Sequence, residues 1–484
     1  MHVADLTNWL IWLPIGTAVV LWVVPLSRYW TGGLALLASL AEVGIWIEQA
    51  VRFDFQKPGL QFATKATWFK DLHVSYHIGF YGFSLWLAGL TVIVMAACVA
   101  YGFWAGRDRS RAYFGLMLFL TGATVAVFAA QDLLFFYAAF EAMLIPLYVL
   151  VGVWGGPNRG TATLKLVIYT MAGSLFMLAS VIAFGLSQGT FDLVDSSTSA
   201  SRFVFLGFAL AFAIKSPLIG FHGWLPDAYR EAPPEVTAAL SGVIAKAGLY
   251  GFLRICLVKF PEPSSYYRTA LLALGVASLL YGSLLAFRVR DFRSVVAYSS
   301  FAQSGLIVVG LFAGTDQGFG GAVLQMLAHG FVSATLFLLA GVVERRTTTG
   351  DFALLGGMAK GRPVLATLLM VTGVISLAVP GSANFAGEFL ILTGVFQRAW
   401  WWAALGAAGI VLAAMYMLRL ISAVLHEARG STVSDAALDV RPAEIGILVP
   451  LVACLLALSV WPGGVSGHSF QPDQPTQVIG SQLK

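Results

Sequence analysis

FVFLGFALAFAIKSPLIGFHGWLPDAYREAPPEVTAALSGVIAKAGLYGFLRICLV (203–258) decides how the chain is read. It consists of two apolar runs joined by a proline-containing connection, 221–235, and each run carries one lysine in its interior, Lys215 and Lys246. A cation at mid-bilayer costs roughly 2.5–3.5 kcal/mol on insertion scales. It persists where the side chain meets a partner or water, so both lysines are functional candidates.

The rest of the chain agrees that this is membrane sequence. Of 484 residues, 58 % are hydrophobic and 11 % charged, and mean hydropathy is +0.81. So few charges cannot coat a soluble surface. Apolar runs of about twenty residues, enough to cross a hydrocarbon core of ~30 Å, recur from end to end. The net charge of +5 does not mark a nucleic-acid surface, because the basic residues sit in short connections between apolar runs. The three cysteines, Cys98, Cys256 and Cys454, are isolated, which argues against a metal cluster or thiol redox site. With no glycine-rich phosphate loop either, no cofactor or metal is expected on this chain. The first apolar run has no basic n-region and no small-residue cleavage site, so it reads as a span rather than a signal peptide.

The expected fold is an all-α polytopic membrane protein, one domain over 1–484 with about 14 transmembrane helices. The runs fall near 8–26, 31–49, 83–104, 112–130, 132–151, 163–187, 203–220, 236–258, 268–287, 294–314, 319–341, 364–399, 402–425 and 443–461. An even number puts both termini on one side. Arginines crowd alternate loops, among them Arg107, Arg109, Arg111, Arg288, Arg290, Arg345 and Arg346. The positive-inside rule makes that the cytoplasmic set and places both termini outside. The exception is the long opposite loop 51–80, which holds Arg52, Lys57, Lys65 and Lys70 beside Asp54 and Asp71. Residues 463–484, rich in Gly, Pro, Gln and Ser, read as a loosely held tail.

Two spans are interrupted. Pro217 follows Lys215 by two residues and removes a backbone donor. The run 364–399 is broken near its middle by VPGSANFAGE (379–388). Broken helices at corresponding places in two halves predict inverted repeats of five helices each, 112–258 and 268–425.

Five ionisable residues fall at membrane depth: Glu141, Lys215, Lys246, His329 and Glu388. Each has two accessible protonation states, which suits a proton relay. The plainer readings are a static ion pair for Glu141 and Lys215 and a packing role for His329. Glu42 and Glu48 read as interfacial, and Arg254 and Arg419 as side chains snorkelling from span ends. His222, Asp227 and Glu231 lie in the turn-rich connection, as loop residues or as the mouth of an access path.

Several stretches carry a family resemblance: EAMLIPLYVLVGVWGGPNR (141–159), FHGWLPDAYREAP (221–233), DFRSVVAYSS (291–300), QMLAHG (325–330) and PGSANFAGEFLIL (380–392). In this order they resemble the antiporter-like membrane subunits of proton-pumping NADH–quinone oxidoreductase, respiratory complex I, and subunit M in particular. The resemblance covers about 80–445. It implies a polar axis in the membrane plane, with Glu141 and Lys215 as the input pair and Lys246 as central carrier. His329 would be the connecting relay and Glu388 the terminal site. It implies FMN and iron–sulfur clusters in partner subunits, antiporter-like subunits L and N as neighbours, and the bacterial plasma membrane as location. The alternatives are an Mrp-type cation/proton antiporter subunit, or the equivalent subunit of a membrane-bound hydrogenase or photosynthetic relative. Three positions depart from the family pattern: Tyr81 replaces an acid, while Tyr229 and Gln303 replace histidines.

Overall fold

A computed structural model describes residues 5–434 and 438–470. Its helices begin with α1 (Asp5–Val23) and α2 (Arg28–Arg52), followed by α3 (Gly82–Ala105) and α4 (Ser110–Ala129). Then come α5 (Leu133–Ala142), α6 (Leu144–Trp154), α7 (Arg159–Gln188), α8 (Arg202–Lys215) and the short α9 (Leu225–Glu231). Residues 234–257 form one long span of α10 (Pro234–Ala239), a π turn (Leu240–Ile244), α11 (Lys246–Gly251) and a second π turn (Phe252–Leu257). The remainder is α12 (Pro261–Arg288), α13 (Phe292–Ala313), α14 (Asp316–Thr347), α15 (Pro363–Ser376), α16 (Ala383–Phe396), α17 (Trp400–Ile421), α18 (Pro442–Val460) and α19 (Gly463–Ser466). Among the described residues twelve spans are long and apolar enough to cross a membrane. The interrupted pairs α8–α9 and α15–α16 bring the crossings to the fourteen expected.

The loop 51–80 is not irregular. Gln61–Phe69 and Val74–Phe80 pair antiparallel as β1 and β2, outside the helical bundle. Val74, Tyr76, Ile78 and Phe80 alternate with small or polar residues, the period-2 pattern of a strand with one apolar face. The hairpin is fastened to the bundle: Ile78 bridges to Ala130, and Gln131 N–H donates to the His77 carbonyl at 2.8 Å. This is hereafter the hairpin side, and the opposite face, where most arginines lie, the arginine side. Both described ends of the chain lie on the hairpin side. Thr7 donates to the Phe62 carbonyl at 3.0 Å, and Phe83 N–H donates to the Ser469 carbonyl at 3.0 Å. Residues 463–470 of the expected loose tail therefore pack on the start of α3, where Phe470 stacks on Phe83. Residues 471–484 lie outside the described residues.

The middle of the bundle consists of 234–257, α13 and α14. Every residue in the apolar cores of 234–257 and α14 is buried, so neither has a face for lipid. Gly242 and Gly330 let these two helices touch backbone to backbone. A Cβ at Gly330 would stand 2.8 Å from the Gly242 carbonyl oxygen. That closeness brings the turn before Lys246 against the turn after His329.

Candidate functional site

Four of the five ionisable residues stand beside a defect in their helix. Pro146 has no N–H to donate to the Ala142 carbonyl, and the helix breaks between α5 and α6 just after Glu141. Lys215 is the last residue of α8, ahead of Ser216 and Pro217. Glu388 lies in the second turn of α16, restarted after the break by Ser382, whose side chain accepts from Phe385 N–H.

Lys246 owes its place to a π turn. Ala245 N–H reaches back five residues to the Leu240 carbonyl at 3.0 Å, not four to Ser241. The Ser241 carbonyl is thereby free to accept from the Lys246 ammonium at 2.7 Å. His329, by contrast, sits in unbroken helix. Its Nε2 is buried without a hydrogen-bond partner, within electrostatic reach of Lys246.

The pairings differ along the row. Glu141 is half-buried and faces the Ser174 hydroxyl and the Lys215 charge, but the two charged groups do not close an ion pair. The Lys215 ammonium lies 4.9 Å from the centroid of the Phe140 ring. The static-pair reading of Glu141 and Lys215 therefore has no contact to support it. Beyond Lys246, the Ser241 and Ser300 hydroxyls bond at 2.9 Å, and the Tyr229 hydroxyl lies beside both without a well-formed bond to either. Gln325 then donates to Gln303 at 2.9 Å, and Gln303 donates to Glu388 at 2.9 Å. The second Glu388 oxygen is buried and open. Tyr416, near Glu388, donates to Ser299 at 2.8 Å. The sequence reading singled out neither Gln325, Ser241, Ser300 nor Tyr416. A buried polar residue repeated every three or four positions on α13 (Ser299, Ser300, Gln303, Ser304) was the available signal.

Two residues that depart from the family pattern have concrete roles here. Gln303 straps Glu388 to Gln325 with both ends of its amide. Tyr81, in place of an acid, offers its ring to Arg254, whose guanidinium carbon lies 4.9 Å from the centroid. Arg254 does not snorkel: it is buried and donates to Gln131 at 2.7 Å. Gln131 in turn donates to the Gly79 carbonyl of the hairpin at 3.2 Å. Arg419 does reach out of its span end, to the Phe287 and Val289 carbonyls. Glu42 is not interfacial either: it is fully buried in the middle of α2. Glu48, paired with Arg52, is at the end of α2 as expected.

In the connection, His222 stacks on Phe301 at 4.5 Å, Asp227 pairs with Lys165 at 2.5 Å, and Glu231 accepts from Asn158 N–H at 2.9 Å. On the arginine side, buried Glu235 receives two bonds from Arg107, at 2.6 and 2.9 Å, and one from Tyr113 at 2.6 Å. On the hairpin side, Asp192 receives His77 and Lys65, each at 2.7 Å. Burial opposes ionisation of Asp192, but the His77, Lys65 and Val194 N–H bonds outweigh it and hold the carboxyl below the usual range. No cluster of three or more His, Cys, Asp or Glu among the described residues is arranged for a metal ion.

Buried ionisable groups beside broken and π-distorted helices are what a membrane proton carrier requires, and comparison with known proteins names the family. Residues 130–415 match the family described as NADH:quinone oxidoreductase/Mrp antiporter, TM. The chain belongs to this family. It is 34% identical to NADH-quinone oxidoreductase subunit M of Rhodobacter capsulatus over 96% of this chain and 94% of that one. To subunit M of Rickettsia typhi it is 34% identical, with 89% of each chain covered. Among solved structures it superposes on a chain of respiratory complex I from Thermus thermophilus with a TM-score of 0.89 at 30% identity, covering 100% of both. A chain of the Mrp complex from Dietzia shares the fold, with a TM-score of 0.89 at 22% identity and 100% of both covered. The chain is a proton-translocating, antiporter-like membrane subunit of the NADH–quinone oxidoreductase type.

Proposed function

We propose that Glu141, Lys215, Lys246, His329 and Glu388 form the proton relay of this subunit, driven by quinone reduction in partner chains. The observation that carries this reading is the row itself: four buried ionisable side chains and the half-buried Glu141, most at a helix break, with Ser241, Ser300, Gln325 and Gln303 between Lys246 and Glu388. An ionised Glu141 favours the protonated form of Lys215. A neighbour's charge that draws Glu141 away removes that support, and the proton passes inward to Lys246. The open gap between Glu141 and Lys215 suits this, because a closed pair would resist being pulled apart. Moving one charge against the membrane potential costs ~2.3 kcal/mol per 100 mV, which the redox reaction supplies.

On this reading no redox chemistry occurs on this chain, and FMN and iron–sulfur clusters belong to partner subunits. Antiporter-like subunits L and N flank it, in the bacterial plasma membrane, with both termini outside. Two inverted five-helix units, 112–258 and 268–425, are supported by matching contacts on opposite sides. Asp132 bridges to Asp192 on the hairpin side and Asp291 to Asp351 on the arginine side, each aspartate pair joining the start of a unit's second helix to the loop after its third. The test is Glu141→Gln in the assembled complex, read as protons moved per NADH in proteoliposomes. Loss of pumping with assembly retained is expected. Normal stoichiometry would sink the scheme, and Na⁺-dependent activity without NADH oxidation would move the chain to the Mrp reading.

A further inference from the structure

The inner face of α2 carries ionisable chemistry that the relay does not use. Ser39, Glu42 and Gln49 are three and seven residues apart, so they fall on one face of the helix. All three are fully or almost fully buried against the packing of α2 on α1, α3 and α4. Four polar atoms on that face have no hydrogen-bond partner: Ser39 Oγ, both Glu42 carboxylate oxygens and Gln49 Oε1. Buried polar atoms are nearly always satisfied by protein or by internal water. Four in three turns of one helix is a concentration that calls for a shared ligand. The fixed charges of the four helices are remote from Glu42. Asp5, Arg28 and Arg111 stand at helix starts, and Glu48 pairs with Arg52 at the hairpin-side end of α2. An ionised, unpartnered carboxylate in such a place is very costly, so the stable form is the neutral acid.

The polar face stops in one direction and continues in the other. Toward the arginine side the next polar group, Thr31, is already bonded to the Ser27 carbonyl at 2.9 Å, and Ala35 and Ala38 intervene. Toward the hairpin side Gln49 donates to Thr7 at 2.9 Å, and Thr7 donates to the partly buried Phe62 carbonyl at 3.0 Å. Glu42 and Gln49 are separated by roughly 10 Å along the helix, a distance that a few waters span. We propose that this face of α2 binds a file of internal water ending on Glu42, through which that carboxyl exchanges a proton with the hairpin side, apart from the relay. The step is a simple transfer: Glu42 O–H to water, with the proton returned along the same file, and no other bond changes. The proposal does not rest on the relay reading, since none of its residues belongs to that row.

The test is infrared spectroscopy of the assembled complex in H₂O and D₂O, comparing wild type, Glu42→Gln and Gln49→Leu. The expected result is a protonated-carboxyl C=O band that is absent from Glu42→Gln and shifts in D₂O in wild type. In Gln49→Leu it should shift at least ~10-fold more slowly, because leucine offers neither donor nor acceptor. Thr7→Val, which interrupts the same path from α1, should slow the shift in the same way and serves if Gln49→Leu fails to assemble. A spectrum unchanged in Glu42→Gln would overturn the neutral acid. A band indifferent to D₂O, or one that exchanges equally fast in the path variants, would overturn the water file.

Discussion

The two ends of the ionisable row are built differently. At one, Glu141 is half-buried, touches no cation, and lies on α5, which packs on α6 and α7, whose outer faces expose Ile145, Tyr148, Leu164 and Leu175. At the other, Glu388 is 2% exposed and held by an amide strap that runs through Gln303 to Gln325. An acid that must answer a neighbouring subunit has to be loose and near the surface of its own chain. An acid that must hold a proton until release has to be fixed and shielded from water. The contrast suggests that control enters from outside at Glu141, while the other end depends on this chain's own side chains.

Variants can break or sharpen that contrast. The largest effect is expected between the two ends. Lys246→Met keeps the volume and removes the titrating group, and pumping in proteoliposomes should fall at least ~10-fold, toward the roughly 10²–10⁴-fold scale of a lost proton-transfer group. Next is stability on the arginine side. Arg107→Ala leaves Glu235 buried without its cation, at a cost of roughly 3–5 kcal/mol, seen as a lower thermal midpoint of the solubilised complex. The surface pair Arg52–Glu48, broken by Arg52→Ala, should shift that midpoint hardly at all, the expected ~0–1 kcal/mol.

Smaller than the loss of Arg107, and aimed directly at the contrast, are two polar deletions. Gln303→Leu orphans Gln325 and Glu388 in a sealed site, costing roughly 1–3 kcal/mol. Ser174→Ala, beside half-exposed Glu141, should cost less than ~1 kcal/mol because solvent can replace the hydroxyl. Equal losses of pumping and stability from the two would remove the distinction between a loose and a fixed end.

The most local effect is on the hairpin. Because the folded Asp192 carboxyl titrates below its unfolded value of ~3.9, its contribution is present above that pH and is lost as pH falls through the carboxylate range. Amide protection factors in 61–80, taken relative to the intrinsic exchange rate at each pH, should therefore fall on acidification, and Asp192→Asn should show the lower protection already at neutral pH.

Much of this was legible in the sequence because membrane physics writes it there. Twenty-residue apolar runs give the crossings, Pro217 and the 379–388 stretch give the two breaks, and a lysine or glutamate inside an apolar run announces itself. What was not legible depends on which surfaces meet. The depth of Glu42 depends on α2 turning that face inward, and the inward course of Arg254 depends on meeting Gln131, 123 residues earlier in the chain. The hairpin could have been read, since 74–80 alternates cleanly. Lysines and aspartates scattered through 54–71 obscure that period in the rest of the loop. The π turn before Lys246 has no sequence mark comparable to proline.

The complete enclosure of α14 has a consequence for how the chain is made. This helix, with His329 at its middle, packs against α13, α10 and α3, which precede it, and against α15, α16 and α18, which follow. Synthesis from the N-terminus delivers α14 to the bilayer before half of its enclosure exists. For that interval a segment that ends as protein interior has acyl chains for neighbours. Its most apolar 18-residue stretch has a mean hydropathy of 2.0, which lets it wait there although the helix carries His329.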